Sequence, residues 1–282
     1  MTALQEKALV FRCGGERLVG VLHGPGTDVR PVGVLIVVGG PQYRAGSHRQ
    51  FVLAAREIAR AGHPVLRFDH RGIGDSDGEA RSFEELDDDI RAALDALCTQ
   101  HPALRGVVIM GLCDAASAAL MYCGSDPRVA GLILANPWVR SEAGQARAYV
   151  RHYYGNRLLQ AAFWRKVATG KFNVVGSIRD FLHKLRTSSR GRSANPSRAS
   201  FQERMLAGLA RFRGPILLQV SGRDLTAAEF MDLCESDRRW GNAVARPSVD
   251  LRRYERADHT FAEGLDVATA DCTAWLGTVT GR

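Results

Sequence analysis

The segment Val107–Leu120, VVIMGLCDAASAAL, contains a side chain that can act as a nucleophile. Cys113 follows an apolar run that predicts a strand, and it precedes an alanine-rich run that predicts a helix. Gly111 and Ala115 stand two residues before and two residues after it. Small residues at these positions, between a strand and a helix, are the pattern of a nucleophile elbow, whose central residue is usually serine. We therefore predict that Cys113 is a nucleophile rather than a small buried apolar residue.

Two further side chains with acid–base chemistry follow predicted strands. Asp224 comes after ILLQVSGR, and His259 lies in RADHTF after the last apolar run. A nucleophile needs a base within hydrogen-bond reach, and that base needs an acceptor that fixes its tautomer. We predict that His259 deprotonates Cys113 and that Asp224 holds His259.

Other residues compete for these roles. Ser117 also has small neighbours at two-residue spacing, but it lies within the predicted helix, where its hydroxyl would be buried. Asp258 is adjacent to His259, so its side chain should point away from the imidazole, and Asp232 falls inside a helical pattern. Four polar residues of the segment FDHRGIGDSDG are expected to brace a turn rather than react: Asp69, Arg71, Asp75 and Ser76.

Acyl transfer also needs donors for the oxyanion that forms on the substrate. The backbone N–H of Asp114 follows the nucleophile at a helix N-terminus, which suits an anion. A second N–H should come from the loop after Gly39; Pro41 has none, so Gln42 is preferred, with Gly40 as the alternative. Three side chains near these loops are candidate substrate-binding residues: Trp138, His48 and Arg49.

Alternating strands and helices must position these residues. The central strands are continuous apolar runs, which is typical of strands buried on both faces of a parallel sheet. An open, wound α/β sheet places its ligands at the carboxyl ends of the strands, where the candidate residues fall. Strands are predicted over residues 18–24, 32–40, 64–72, 106–110, 129–137, 215–224 and 248–259. Helices are predicted over residues 47–61, 82–98, after the elbow, 227–240 and up to about 278, and a capping box of Ser82 and Glu85 begins the second helix.

The region 138–213 interrupts this alternation and is too long for an ordinary connection. We predict a helical lid there, inserted between two parts of an α/β core, residues 1–137 and 214–282. Residues 139–214 contain 16 Lys or Arg and 3 Asp or Glu, within a chain whose net charge is +8. This concentration of positive charge favours an anionic substrate, although a solvated basic surface is an equal alternative.

Two segments and the order of three residues resemble the α/β-hydrolase superfamily. FDHRGIGDSDG is similar to its D-x-R-G-x-G-x-S turn, VVGGPQYRAGSHRQ to its oxyanion loop, and the order Cys113, Asp224, His259 to its order of nucleophile, acid and base. Together with GLCDAASAAL, they resemble more narrowly the first type of exosortase A system-associated hydrolase, encoded near bacterial exopolysaccharide export genes. The resemblance implies an α/β-hydrolase fold with a mostly parallel sheet, and dienelactone hydrolases are a precedent in that superfamily for a Cys-His-Asp set.

The leading hypothesis is a hydrolase of carboxylic esters or thioesters that forms a covalent acyl-enzyme. The alternatives are an acyltransferase that uses the same intermediate and a non-catalytic binding protein on the same fold. We expect a small-molecule or carrier-bound acyl substrate, no nucleic acid, no metal and no organic cofactor; the oligomeric state is left open. Six cysteines without C-x-x-C spacing, no signal peptide and no apolar run of about 18 residues favour a cytoplasmic protein without a membrane span.

Overall fold

A central sheet of eight strands crosses the part of the chain that the structure describes. The computed structural model describes residues 4–26, 28–40, 42–140 and 199–279. The strands are β1 (Gln5–Cys13), β2 (Glu16–Gly24), β3 (Val32–Val37), β4 (Val65–Phe68), β5 (Gly106–Leu112), β6 (Val129–Ala135), β7 (Ile216–Ser221) and β8 (Val249–Tyr254).

The strands lie in the order β1-β2-β4-β3-β5-β6-β7-β8. The β1–β2 and β2–β4 pairs are antiparallel. The strands from β4 to β8 are parallel to their neighbours. The predicted mostly parallel sheet is therefore confirmed, and the carboxyl ends of its parallel strands lie along one edge, where the candidate residues follow them.

Helices cover both faces of the sheet. Within the described ranges they are α1 (Gln50–Arg60), α2 (Asp87–Gln100), α3 (Asp114–Tyr122), α4 (Phe201–Arg211), α5 (Leu225–Ser236), α6 (Arg238–Val244) and α7 (Leu265–Leu276). Successive residues of β3 face opposite sides, as the strand period requires. Leu35 packs in the cluster that includes residues of α2 to α6, whereas Ile36 packs in the cluster that includes residues of α1 and α7.

The first strand is absent from the sequence-based prediction. β1 pairs along its whole length with β2 through a hairpin at Gly14 and Gly15. Its sequence QEKALVFRC leaves most of its residues exposed at the edge of the sheet. Its apolar run, residues 8–11, is only four residues long and lies between Lys7 and Arg12, so it did not have the pattern of a strand buried on both faces.

Two predicted helices have different bounds in the structure. Ser82 accepts a hydrogen bond from the N–H of Glu84 and begins a short 3₁₀ helix, and α2 starts only at Asp87, after the buried Leu86. The capping-box prediction was therefore wrong about the start of α2. The helix predicted over residues 227–240 is divided, because Asp237 is extended and caps α6 through the N–H of Arg239.

The chain divides into two compact units, one of Met1–Arg140 with Phe201–Arg282 and one of Ser141–Ser200. Residues 141–198 of the predicted lid lie outside the described residues, so the lid stays a prediction. Its last part, α4, packs in the first unit. Met205 is buried there, and a Cβ at Gly208 would lie 1.8 Å from the carbonyl oxygen of Leu120 in α3.

Across the described ranges, we find no helix with the length and apolar character that a membrane crossing requires.

Candidate active site

Cys113 occupies a strained turn between β5 and α3. Its φ of 62° and ψ of −124° are rare for a residue other than glycine, and such strain is typical of a nucleophile elbow. The turn requires small neighbours, since a Cβ at Gly111 would lie 2.6 Å from the carbonyl carbon of Ala115. The backbone N–H of Cys113 donates to the carbonyl of Ala135 at 2.9 Å, which fixes the turn to the end of β6.

The structure brings the predicted base and acid together. Nδ1 of His259 donates to Oδ2 of Asp224 at 2.9 Å. The pKa of His259 is raised to about 10, first by this hydrogen bond and then by a hydrogen bond with the side chain of Cys113. The carboxylate of Asp224 and the side chain of Cys113 therefore both favour the protonated imidazole.

Local structure orients Asp224 before any contact with His259. Asp224 follows β7 and is the N-cap of α5, where its carboxylate accepts hydrogen bonds from the N–H groups of Thr226 (3.2 Å) and Ala227 (3.0 Å). Its side chain is only 7% exposed. An N-cap aspartate has one preferred orientation, and here that orientation presents Oδ2 to the imidazole.

The rival residues are engaged elsewhere. Oδ1 of Asp258 accepts hydrogen bonds from the N–H groups of Thr260 (3.1 Å) and Ala262 (2.9 Å), and these hold the turn after His259. Asp232 lies within α5, about two helical turns beyond Asp224. The hydroxyl of Ser117 is buried in α3 and donates to the carbonyl of Trp138 at 2.6 Å.

A buried asparagine that the sequence analysis did not select connects three loop ends of the site. Asn136 follows β6 directly with a φ of 45°, and its Nδ2 donates to the carbonyl of His259 (3.0 Å) and to the hydroxyl of Ser221 (2.9 Å). Its Oδ1 accepts the N–H of Ser221 at 2.9 Å. The available signal was a polar residue directly after the apolar run LILA, at the end of a buried strand.

The side chain of Asp114 contacts the loop after β3. The N–H of Gly40 donates to Oδ2 of Asp114 at 3.0 Å, so this N–H is already engaged, and Gln42 is left as the preferred second oxyanion donor. Gln50, buried at the start of α1, donates from Nε2 to Oε1 of Gln42 at 3.1 Å and accepts the N–H of His48 at 3.1 Å. Gln50 is a second residue that the sequence analysis missed, because it lies where the helical pattern begins.

The residues assigned to a bracing role do brace the turn after β4. The buried carboxylate of Asp69 accepts the backbone N–H of Arg44 (2.6 Å) and of Asp75 (3.1 Å), and it also pairs with the guanidinium of Arg44. The hydroxyl of Ser76 donates to the carbonyl of Asp69 at 2.6 Å. Arg71 pairs with the buried Asp89 of α2 at 2.7 Å, and this ion pair ties the same turn to the helix.

The candidate substrate-binding residues have different surroundings. The N–H of Trp138 donates to the carbonyl of Cys113 at 3.2 Å, and its half-buried ring lies 4.6 Å below the guanidinium carbon of Arg140. Nε2 of His48 donates to the carbonyl of Thr260 at 2.9 Å, so one ring nitrogen holds the loop of the predicted base. Arg49 is exposed and lies immediately before α1 with a φ of 65°. A role in substrate binding stays a prediction for all three.

Over the ranges that the structure covers, no group of three or more His, Cys, Asp or Glu side chains is placed to hold a metal ion.

The sheet order, the elbow after β5, the acid after β7 and the histidine after β8 together define the α/β-hydrolase fold. Residues 30–262, most of the chain, match the Hydrolase_4 family, described as serine aminopeptidase, S33, and the chain belongs to this family. No curated protein matches the sequence.

Solved structures of low sequence identity share this fold. An esterase from Pyrococcus furiosus is 18% identical, with a TM-score of 0.63 over 97% of this chain and 90% of that one. A dienelactone hydrolase from Anabaena variabilis is also 18% identical, with a TM-score of 0.61 over 98% of each chain. Est1E from Butyrivibrio proteoclasticus, solved with ferulic acid, is 13% identical, with a TM-score of 0.63 over 98% of this chain and 100% of that one.

Proposed function

We propose that this protein hydrolyses carboxylic esters or thioesters through Cys113 as nucleophile, His259 as base and Asp224 as the residue that orients the base. One observation carries the proposal. The imidazole of His259 is hydrogen-bonded to Asp224 at 2.9 Å, and its pKa is raised by Asp224 and by the neighbouring side chain of Cys113, which stands in a strained elbow. Acyl transfer requires a nucleophile beside a base, and the base must in turn be oriented by a hydrogen-bond acceptor.

In the acylation step, the thiolate of Cys113 attacks the carbonyl carbon of the substrate. A sulfur–carbon bond forms, and the carbonyl electron pair moves to oxygen, where the N–H groups of Asp114 and Gln42 stabilise the negative charge. The oxyanion then collapses and the bond to the leaving group breaks. The imidazolium of His259 donates its proton to the departing alkoxide or thiolate, which leaves an acyl-enzyme.

In the deacylation step, the neutral imidazole takes a proton from water. The resulting hydroxide attacks the thioester carbonyl of the acyl-enzyme, and the sulfur–carbon bond breaks. The carboxylic acid leaves, and the thiolate and imidazolium are restored. Asp224 keeps the proton on Nδ1 throughout, so that the other ring nitrogen faces the reacting groups.

Cysteine in place of serine favours activated carbonyls. A thiolate leaves a tetrahedral adduct more easily than an amine does, so attack on an amide returns to the starting material unless the amine is protonated. Aryl esters and thioesters release phenolates or thiolates, which leave about as readily as the thiolate of Cys113, and His259 can protonate the alcohol that leaves an alkyl ester. We therefore favour these substrates over the peptides that the description of the family names.

Two finer parts of the proposal rest on the sequence. The concentration of Lys and Arg in residues 139–214 favours an acyl substrate with an anionic leaving group or carrier. The resemblance of the three motif segments to exosortase A system-associated hydrolases supports a role near exopolysaccharide export. The position of the coding gene beside export genes is the observation that tests this second part.

Mass spectrometry of the intact and digested protein tests the proposed function. After brief exposure to an aryl ester or an acyl-coenzyme A thioester and acid quenching, we expect an acyl adduct on Cys113. The Cys113→Ala variant should fold, carry no adduct and lose turnover, whereas Cys113→Ser should keep weak activity. Undiminished turnover in Cys113→Ala, or an adduct on another residue, contradicts the assignment.

Product analysis separates hydrolysis from transfer. The same reactions with an added alcohol or amine should yield mainly the free acid if water is the acceptor. A dominant new ester or amide identifies an acyltransferase. An aminoacyl anilide serves as the amide control, and we expect it to turn over far more slowly than the aryl ester.

A further inference from the structure

The carboxylate of Asp114 lies between the nucleophile elbow and the loop after β3. Oδ2 accepts the N–H of Gly40 at 3.0 Å. Oδ1 is buried and has no hydrogen-bond partner in the described part of the chain. Asp114 thus has two connections to the oxyanion site. Its backbone N–H is one predicted donor, and its side chain contacts the loop that carries the second.

The loop passes so close to the elbow that Gly39 has no room for a side chain. A Cβ at Gly39 would lie 1.9 Å from Oδ1 of Asp114 and 2.8 Å from the carbonyl oxygen of Leu112. The Asp114 side chain therefore fills the space between the loop and the first turn of α3. A change in its size or hydrogen bonding must move the loop relative to Cys113.

We propose that Asp114 is a positioning residue whose side chain holds Gly40, so that the N–H of Gln42 is directed at the oxyanion. This inference rests on the proposed function. Gly40 is then a part of the support and not a donor to the substrate. Gln42 is fixed from its other side by the hydrogen bond from Gln50 to its side chain, so the donor lies between two anchored points.

Substitution of Asp114 by asparagine separates its role as a hydrogen-bond acceptor from its role as a negative charge. Burial raises the pKa of this carboxyl group, while the hydrogen bond from Gly40 acts in the opposite direction. An asparagine amide in the same place retains an acceptor oxygen for Gly40 and removes the desolvated charge. The Asp114→Asn variant should therefore restore the hold on the loop that Asp114→Ala loses.

Steady-state kinetics with an aryl ester provide the first test. We expect kcat of Asp114→Ala to fall about 10- to 100-fold with a smaller change in KM, because a displaced oxyanion donor acts on the transition state. Asp114→Asn should recover most of this loss. Asp237→Ala, which removes a partly exposed carboxylate that caps α6 through the N–H of Arg239, is the matched control and should retain normal kcat.

Alkylation of Cys113 by iodoacetamide distinguishes an effect on the oxyanion site from an effect on the thiolate. This reaction forms no oxyanion, so its rate in Asp114→Ala should change much less than kcat. An equal loss of both rates overturns the proposal. A kcat in Asp114→Ala that equals or exceeds that of the wild type also overturns it. In that case the Gly40 N–H, released from Asp114, would donate to the oxyanion itself.

Hydrogen–deuterium exchange separates this inference from the proposed function. Peptides that cover residues 38–46 should take up deuterium faster in Asp114→Ala than in the wild type, Asp114→Asn or Asp237→Ala. Unchanged uptake in Asp114→Ala shows that the side chain does not hold the loop. Failure of the wild type to form any acyl adduct contradicts the proposed function alone, since the exchange result does not depend on activity.

Discussion

At the scale of single residues, Cys113 differs from the other five cysteines in its surroundings. Cys13, Cys123, Cys234 and Cys272 are buried and Cys98 is partly buried, and burial raises the pKa of each of these thiols. Because the thiolate is the species that reacts, these five should react slowly. We expect iodoacetamide near neutral pH to modify Cys113 first, as measured by peptide mapping over time. Earlier modification of Cys98 would contradict this.

The two aspartates near His259 provide a matched pair of substitutions. Asp224→Asn should lower kcat by about 10²- to 10⁴-fold, because the amide no longer fixes the required tautomer of His259. Asp258→Asn should stay within about tenfold of the wild type, since its carboxylate contacts only backbone and hydroxyl groups of its own turn. Steady-state assays with one aryl ester compare them. Reversal of this order would make Asp258 the acid.

The raised pKa of His259 predicts how stability depends on pH. The hydrogen bond with Asp224, the largest cause, raises this pKa from 6.5 to about 10, so the folded protein binds an extra proton between these values. The free energy of unfolding gained from this proton is complete below about pH 6.5 and is lost as pH rises toward about 10.

Denaturant unfolding at several pH values in this window measures the effect. The wild type should lose more stability with rising pH than His259→Gln does, because glutamine cannot bind the proton. Parallel pH profiles for the two proteins would show that His259 is not protonated in this range.

At the scale of elements, Asn136 links the end of β6 to β7 and to the loop of His259. Asn136→Ala removes three hydrogen bonds in a buried site and leaves Ser221 without its partner, so we expect a loss of about 3 kcal/mol in the free energy of unfolding. The variant should also have a lower kcat, since the loop carrying His259 loses an anchor. Denaturant unfolding and an aryl ester assay measure the two effects.

An exposed asparagine provides the control for this substitution. Asn242 lies on the surface of α6, and Asn242→Ala should change stability by no more than about 0.5 kcal/mol. If both variants lost the same small amount, the contacts of Asn136 would contribute little to the arrangement of the three loop ends.

At the scale of the whole molecule, the chain has a net charge of +8, and residues 139–214 hold 16 Lys or Arg and 3 Asp or Glu. This distribution predicts that activity on an anionic substrate depends on salt. Added salt screens charges over a Debye length of about 8–10 Å and so weakens the attraction of an anionic substrate. We expect kcat/KM for a coenzyme A thioester to fall between low and moderate salt. The value for a neutral aryl ester should stay nearly constant.

Charge reversal within the basic region tests the same idea by mutation. Arg190 and Arg192 lie outside the described residues, and their replacement by Glu should lower kcat/KM for the thioester while sparing the neutral ester. Equal salt dependence for both substrates, or equal effects of the substitutions, would show that the basic excess is only a solvated surface.

The sequence by itself determined the fold class and the three residues selected for catalysis. Continuous apolar runs predicted strands buried on both faces. The small residues around Cys113 predicted the elbow, because any side chain at Gly111 would meet the backbone of Ala115. Asp224 and His259 were selected because polar residues after buried strands collect at one edge of a parallel sheet, and the structure places the two side chains in contact.

The tertiary structure decided the contacts that depend on distant segments. The engagement of Gly40 by Asp114, the anchoring of Gln42 by Gln50 and the links made by Asn136 each join residues from different loops, and no periodic pattern encodes such pairs. The edge strand β1 likewise depends on pairing with β2, because most of its residues are exposed and its apolar run is short. Local spacing fixes a turn or a helix, whereas hydrogen bonds between loops exist only once packing has brought the strand ends together.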